Sequence, residues 1–153
     1  MSDLRDLYQE VIIDHGRHPR NFGVLENANH IKQGFNPLCG DKITLYIEEK
    51  NGVIENIMFN GCGCAISMAS ASLMTESLKN KKIAEADMLF SVFHQLITHS
   101  AMNENQQEIL GKLTILKGVS EFPARVKCAT LAWHTLNAAL HNESGAVTTE
   151  ESL

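Results

Sequence analysis

The most restrictive feature of the chain is a change of hydrophobic period at about residue 64. Before it, Ile43, Leu45 and Ile47 alternate with Thr44, Tyr46 and Glu48, and a run over residues 53–60 alternates less cleanly through Ile57 and Phe59. A period of two belongs to a strand with one covered face. Asn51-Gly52 stands between the runs, and a type I′ turn needs positive φ at both of its central residues, so the two runs read as an antiparallel hairpin. Beyond residue 64 the period is near 3.6. Residues 67–79 are rich in Ala and Ser around Met68, Leu73, Met74 and Leu78, and residues 83–99 set Ile83, Ala86, Phe90, Phe93 and Ile97 on one side. A short helical piece is expected over 105–110. Pro123 suits the first turn of a last helix with the stripe Val126, Ala129, Trp133, Leu136 and Leu140.

Ahead of the hairpin, Leu4, Leu7, Tyr8, Val11 and Ile12 form the stripe of a first helix, capped by Ser2 or Asp3 and stopped by Gly16 and Pro19. A short extended piece falls near 29–35. Strands early and helices late predict an α+β fold, a small antiparallel sheet of about three strands covered on one face by helices. At 153 residues without an internal repeat, the chain reads as a single domain over 1–141. Residues 142–153 carry no apolar pattern and are expected to be a flexible tail.

With 44% apolar and 20% charged residues, the composition excludes a disordered or low-complexity chain. Eighteen acidic against thirteen basic residues leave a net charge of -5, which supplies no positive field for a phosphate backbone, so nucleic acid is not an expected partner. No run approaches the ~20 apolar residues of a bilayer span, and the opening Met1-Ser2-Asp3-Leu4-Arg5-Asp6 lacks the features of a secretory or transit segment. The expectation is a cytoplasmic protein with no membrane partner. In that reducing setting the four cysteines, Cys39, Cys62, Cys64 and Cys128, are not expected to form disulfides.

Cys39 lies in Asn36-Pro37-Leu38-Cys39-Gly40-Asp41, directly before the hairpin's first strand, and Cys62 and Cys64 lie in Gly61-Cys62-Gly63-Cys64, directly after its second. A hairpin returns its second strand to where the first began, so chain topology alone brings Cys39, Asp41, Cys62 and Cys64 to one end of the sheet. Cys64 also precedes the helix at Ser67, where free backbone N–H groups favour thiolate over thiol. Cys128 sits about 100° off the last helix's apolar stripe, at the edge of the buried face, from which it can reach a site. Three thiolates and a carboxylate around a divalent ion carry a formal charge of about -2. Arg125, three residues before Cys128, can offset it, with a contribution from Lys127. Scattered cysteines in a reduced protein are often inert small hydrophobes. The glycine-flanked pair, the nearby aspartate and the hairpin joining them favour a metal or sulfur site over that reading.

The remaining chemistry-bearing residues read more plainly. His94 and His99 are five apart, no His-Glu-x-x-His occurs, and His134 and His141 read as ordinary helix residues. His15 and His18 flank the end of the first helix, where a cation is favourable. Ser67, Ser70 and Ser72 form a small-residue ladder suited to close helix packing, without a Gly-x-Ser-x-Gly elbow.

Four motifs in order carry a family resemblance: Asp14-His15 with Pro19-Arg20-Asn21; Asn36-Pro37-x-Cys39-Gly40-Asp41; Gly63-Cys64-x-Ile66-Ser67-x-Ala69-Ser70-x-Ser72; and Phe122-Pro123-x-Arg125-x-Lys127-Cys128-x-Thr130-Leu131-x-Trp133. Over residues 4–140 the chain resembles the U-type iron–sulfur cluster assembly proteins (SufU, IscU and NifU N-terminal-like), and within them the SufU branch. Lys127 stands where IscU-like proteins carry a histidine ligand, the Leu-Pro-Pro-Val-Lys chaperone motif is missing, and residues 83–116 resemble the SufU insertion. The resemblance implies a Zn2+ ion held by Cys39, Asp41, Cys64 and Cys128, with Cys39 as acceptor of persulfide sulfur from a SufS-type cysteine desulfurase and Asp41 as either the labile oxygen ligand or an anchor; Arg125 stays, by its place on the last helix, the residue that offsets the charge of the set. In that scheme a partner histidine replaces Cys39 on the metal, and the sulfur passes on to downstream iron–sulfur assembly proteins. The alternative it implies is a scaffold for a labile [2Fe-2S] cluster or iron. Cys62 departs from the SufU pattern and matches the position of an IscU-type ligand cysteine, so it is kept as an alternative ligand or second sulfur acceptor. Lys42 stands where many relatives have arginine.

Overall fold

Asn51 and Gly52 adopt φ of 54° and 79°, the pair of left-handed conformations that a type I′ turn demands. They join β2 (Asp41–Lys50) to β3 (Val53–Cys62). In the computed structural model the described residues are 2–98 and 102–149. Of the first helix's expected stripe, the side chains of Leu4, Leu7 and Tyr8 lie outside the description, as do His99 and residues 150–153. The order is α1 (Ser2–Arg17), β1 (His30–Asn36), β2, β3, α2 (Ala65–Leu78), α3 (Ile83–Thr98), α4 (Glu104–Leu110), a 3-10 segment (Gly111–Glu121), α5 (Pro123–Leu140) and β4 (Val147–Thr148).

The α+β architecture is the expected one, with the sheet ordered β3-β2-β1-β4. Two expectations need correction. The sheet has four strands instead of about three, and the fourth comes from the tail expected to be unstructured. Val147 and Thr148 pair in parallel with Gly34 and Phe35. Thr149 N–H donates to Phe35 O at 3.0 Å, and its hydroxyl donates to Asn36 Oδ1 at 2.9 Å. These bonds are made by backbone and one buried hydroxyl, so they leave no hydrophobic pattern to read.

Ile43, Leu45 and Ile47 of β2 and Ile57 and Phe59 of β3 are fully buried on the inner face. Against that face lies α5, whose Trp133 stacks on Phe93 of α3 with ring centroids 4.5 Å apart. The serine ladder of α2 does serve packing. Ser70 donates to Ala129 O at 2.6 Å and accepts from Trp133 Nε1 at 3.1 Å, which ties α2 to α5 where their backbones run close. Leu113, Leu116 and Val119 are buried at intervals of three, the period of a 3-10 helix. A search for 3.6-residue spacing passes over that segment. Among the described residues no helix is long and apolar enough to cross a membrane.

The first helix is fastened to α2 through the Asp14-His15 and Pro19-Arg20-Asn21 motifs. His15 is buried instead of capping an exposed helix end: its Nδ1 meets Ser72 Oγ at 2.7 Å, and its Nε2 lies 3.9 Å from Glu76. Arg20 N–H donates to the same Ser72 oxygen at 2.8 Å, and Asn21 Nδ2 donates to Thr75 Oγ1 at 3.1 Å. Burial, followed by the charge of Arg20, holds the His15 pKa below the ordinary histidine value. A depressed histidine pKa stabilises the fold fully above about pH 6.5, and that stability is lost as pH falls through the folded value. Stability is therefore expected to drop as pH falls below about 6.5. His15→Gln, which keeps a polar group beside Ser72, flattens that dependence in thermal unfolding followed against pH; an unchanged slope would place the effect elsewhere.

Candidate metal centre

The site is built from three places that the sheet end brings together. Cys39 stands in the turn between β1 and β2, Asp41 opens β2, and Cys64 is the N-cap of α2 after β3 ends. Cys128 arrives from the second turn of α5. Cys39 Sγ and Cys128 Sγ are 3.2 Å apart. Donor atoms of Cys39, Asp41 and Cys128 all lie within 4.8 Å of one another, the one cluster of its kind among the described residues. Cys64 falls outside that cluster and meets it through its backbone N–H, which donates to Asp41 Oδ1 at 2.8 Å.

Asp41 is 2% exposed, and a buried carboxylate must be hydrogen-bonded or held by a cation. Its Oδ1 accepts from Cys64 N–H at 2.8 Å and its Oδ2 from Asn36 Nδ2 at 3.0 Å. Asn36, fully buried, also donates to Cys128 Sγ at 3.4 Å and is fixed in turn by the Thr149 hydroxyl. Sequence reasoning quoted Asn36 only as part of a motif. Its signal was a buried-strand position occupied by an amide beside two cysteine-bearing loops. The role of Thr149 had no such signal.

Gly63 makes room for the carboxylate, since a Cβ there would lie 2.4 Å from Asp41 Oδ1. Gly63→Ala is therefore expected to displace Asp41 and weaken Zn2+ binding by at least the roughly 10–100-fold cost of losing an outer-sphere partner, read by chelator competition. Unchanged affinity would mean that the carboxylate is not needed where it stands.

The thiols divide sharply in environment. Cys128 is 1% exposed, Cys64 is half-buried, and Cys39 and Cys62 are exposed. Cys128 is thus buried, where an edge position was expected. The neighbouring Cys128 thiol, with the Ser67 N–H that donates to Cys64 Sγ at 3.4 Å, pulls the Cys64 pKa down to about 7 against the opposing effects of burial and Asp41. Cys128 moves the other way: as donor to Cys64, and by burial, its thiol is pushed up.

Cys62 is turned away from this group. It pairs across the sheet with Lys42, while Ile43 pairs with Gly61. Side chains alternate along a strand, and Asp41 and Ile43 are buried on the inner face while Lys42 is exposed. Cys62 therefore shares the outer face with Lys42, opposite to Asp41. Arg125 lies with its guanidinium 5.1 Å from the ring centroid of the exposed Phe122, and Lys42 Nζ lies 5.8 Å from that of Phe35.

A family model described as the NifU-like N terminal domain matches residues 7–129. The chain is 40% identical over 144 residues to the zinc-dependent sulfurtransferase SufU of Bacillus subtilis (strain 168), covering 94% of this chain and 96% of that protein. It is 38% identical over 134 residues to the iron–sulfur cluster assembly scaffold protein IscU of Thermotoga maritima, covering 88% and 92%. Among solved structures, FiSufU of the thermophilic Fervidobacterium islandicum AW-1 is similar with a TM-score of 0.81 and 33% identity over 89% of this chain and 98% of that one.

Proposed function

The chain belongs to the family of NifU-like N-terminal domains, and from that membership we propose that it is a zinc-dependent sulfur acceptor in iron–sulfur cluster assembly, taking persulfide sulfur from a SufS-type cysteine desulfurase. The observation that carries this reading is the asymmetry of the paired thiols. Cys39 is exposed on a turn, yet its sulfur lies 3.2 Å from that of the buried Cys128. One sulfur of the centre is open to a partner, while Cys64 is half-buried and Cys128 is shielded.

Cys39, Asp41, Cys64 and Cys128 would hold the metal. The mixed set of sulfur and oxygen donors suits zinc, and Gly63 leaves the space that the carboxylate needs. Zinc bound there keeps cysteine sulfurs as thiolates at neutral pH without redox chemistry of its own. Cys39 thiolate attacks the outer sulfur of the desulfurase persulfide. A new S–S bond forms at Cys39 as the old one breaks, and the electron pair leaves with the partner's thiolate. Cys64 and Cys128 stay as anchors: Cys128 is buried, and Cys64 is half-buried and less open to a partner than the exposed Cys39. Arg125, one turn before Cys128, offsets the negative charge of the thiolates, and the Asn36 amide fixes the carboxylate. The proposed setting is the cytoplasm, with downstream iron–sulfur assembly proteins as recipients.

Incubation with the desulfurase and cysteine tests this directly. Intact-protein and peptide mass spectrometry are expected to find one added sulfur atom on Cys39, with faster desulfurase turnover. Absence of both the adduct and the stimulation would refute the relay. A scaffold reading is favoured by the similarity to proteins named IscU scaffolds. Anaerobic reconstitution separates the two: a stable visible chromophore that passes to an apo acceptor supports the scaffold, and zinc that resists displacement by iron supports the relay.

A further inference from the structure

Ser67 presents a hydroxyl for which the apo fold has no use. It is fully buried, and its Oγ is the one buried side-chain nitrogen or oxygen without a hydrogen-bond partner among the described residues. Leaving such a group unpaired is unfavourable, and alanine at the same place would avoid that.

Its position in the helix explains the vacancy. Cys64 is the N-cap of α2, so Ser67 is the third helical residue, from which a side chain commonly reaches back to the N-cap N–H. Here that N–H is already taken by Asp41 Oδ1 at 2.8 Å. The reciprocal bond is made, since Ser67 N–H donates to Cys64 Sγ at 3.4 Å. The hydroxyl is left over.

Residues three apart share one side of a helix. Cys64, Ser67 and Ser70 therefore form one stripe, which starts at the N-cap beside Asp41 and bonds to α5 at Ser70, whose hydroxyl donates to Ala129 O at 2.6 Å. Ser67 lies on that stripe between the Cys64 N-cap and the α2–α5 contact at Ser70.

We propose that Ser67 is a positioning residue for the metal centre, its hydroxyl turning to donate to a ligand thiolate of Cys64 or Cys128 once the metal has removed their protons. The inference rests on the zinc reading above. Two metal-bound thiolates are acceptors only, and groups that donate to ligating atoms tune affinity as the ligands themselves do. A hydroxyl is a rotor and can change partner without moving the backbone.

The test is Ser67→Ala, compared with the wild type in three measurements. Zn2+ affinity by competition with a chromophoric chelator is expected to fall about tenfold, within the range for loss of an outer-sphere partner. The sulfur-to-metal charge-transfer band of the Co2+-substituted protein is expected to shift. Thermal unfolding of the metal-free protein is expected to stay level or rise, because the variant removes an unpaired buried group. Affinity within twofold of wild type with an unshifted band would overturn the proposal. So would a lower metal-free unfolding temperature, which would show that the hydroxyl already has a structural partner. Failure of the wild type itself to bind Zn2+ would instead sink the zinc reading, so the two failures are distinguishable.

Discussion

Cys39→Ser is expected to abolish the sulfur adduct and the stimulation of desulfurase turnover together, while leaving the metal-free fold as stable as wild type. The contrast follows from exposure. Cys39 is an exposed turn residue and lies outside the hydrophobic core, so serine in its place removes a nucleophile and a ligand without opening a cavity. Cys62→Ser serves as the internal control. Its side chain shares the outer sheet face with Lys42, and the variant should retain the adduct in full. Mass spectrometry of both variants after exposure to desulfurase and cysteine decides the matter. Sulfur retained on Cys39→Ser and lost on Cys62→Ser would reverse the roles assigned here.

Asp41→Ala should be damaging in a different way, by removing a ligand and unmaking a hydrogen-bond hub at once. The carboxylate accepts from Cys64 N–H and from Asn36 Nδ2, both at or near the buried floor of the site. Losing it strands two donors, at about 1–3 kcal/mol for each one left unsatisfied. Metal-free Asp41→Ala should therefore unfold earlier than wild type, and its Zn2+ affinity should fall by more than the roughly 10–100-fold of an outer-sphere loss. Asp41→Asn does not rescue it, because either orientation of the amide turns its own NH2 toward Cys64 N–H or Asn36 Nδ2. Denaturation of the metal-free proteins and chelator competition read the two effects separately. Full metal-free stability would contradict the hub, and unaltered affinity would contradict the ligand.

Much of this arrangement was legible because hairpin geometry and hydrophobic period are local. Asn51-Gly52 announces its turn, and the turn forces the Cys39 loop and the Cys64 helix start to one end of the sheet. Cys128 could be placed within reach but not in depth, since one helical wheel does not say how closely α5 lies on β1. That closeness depends on Gly34, where a Cβ would stand 2.1 Å from Thr135 Oγ1. Cys62 and Cys64 could not be separated by loop position, yet they separate once β3 is seen to run through Cys62, because alternation then sends that side chain to the outer face. The 3-10 segment and β4 escaped for opposite reasons. The first has a period of three that resembles neither template, and the second is held by backbone bonds that have no sequence period at all.

Zinc K-edge X-ray absorption of the freshly purified protein tests the donor set most directly. Three sulfur scatterers near about 2.3 Å and one oxygen near about 2.0–2.2 Å are expected for Cys39, Asp41, Cys64 and Cys128. A four-sulfur shell, which would require Cys62 in place of Asp41, would contradict the account.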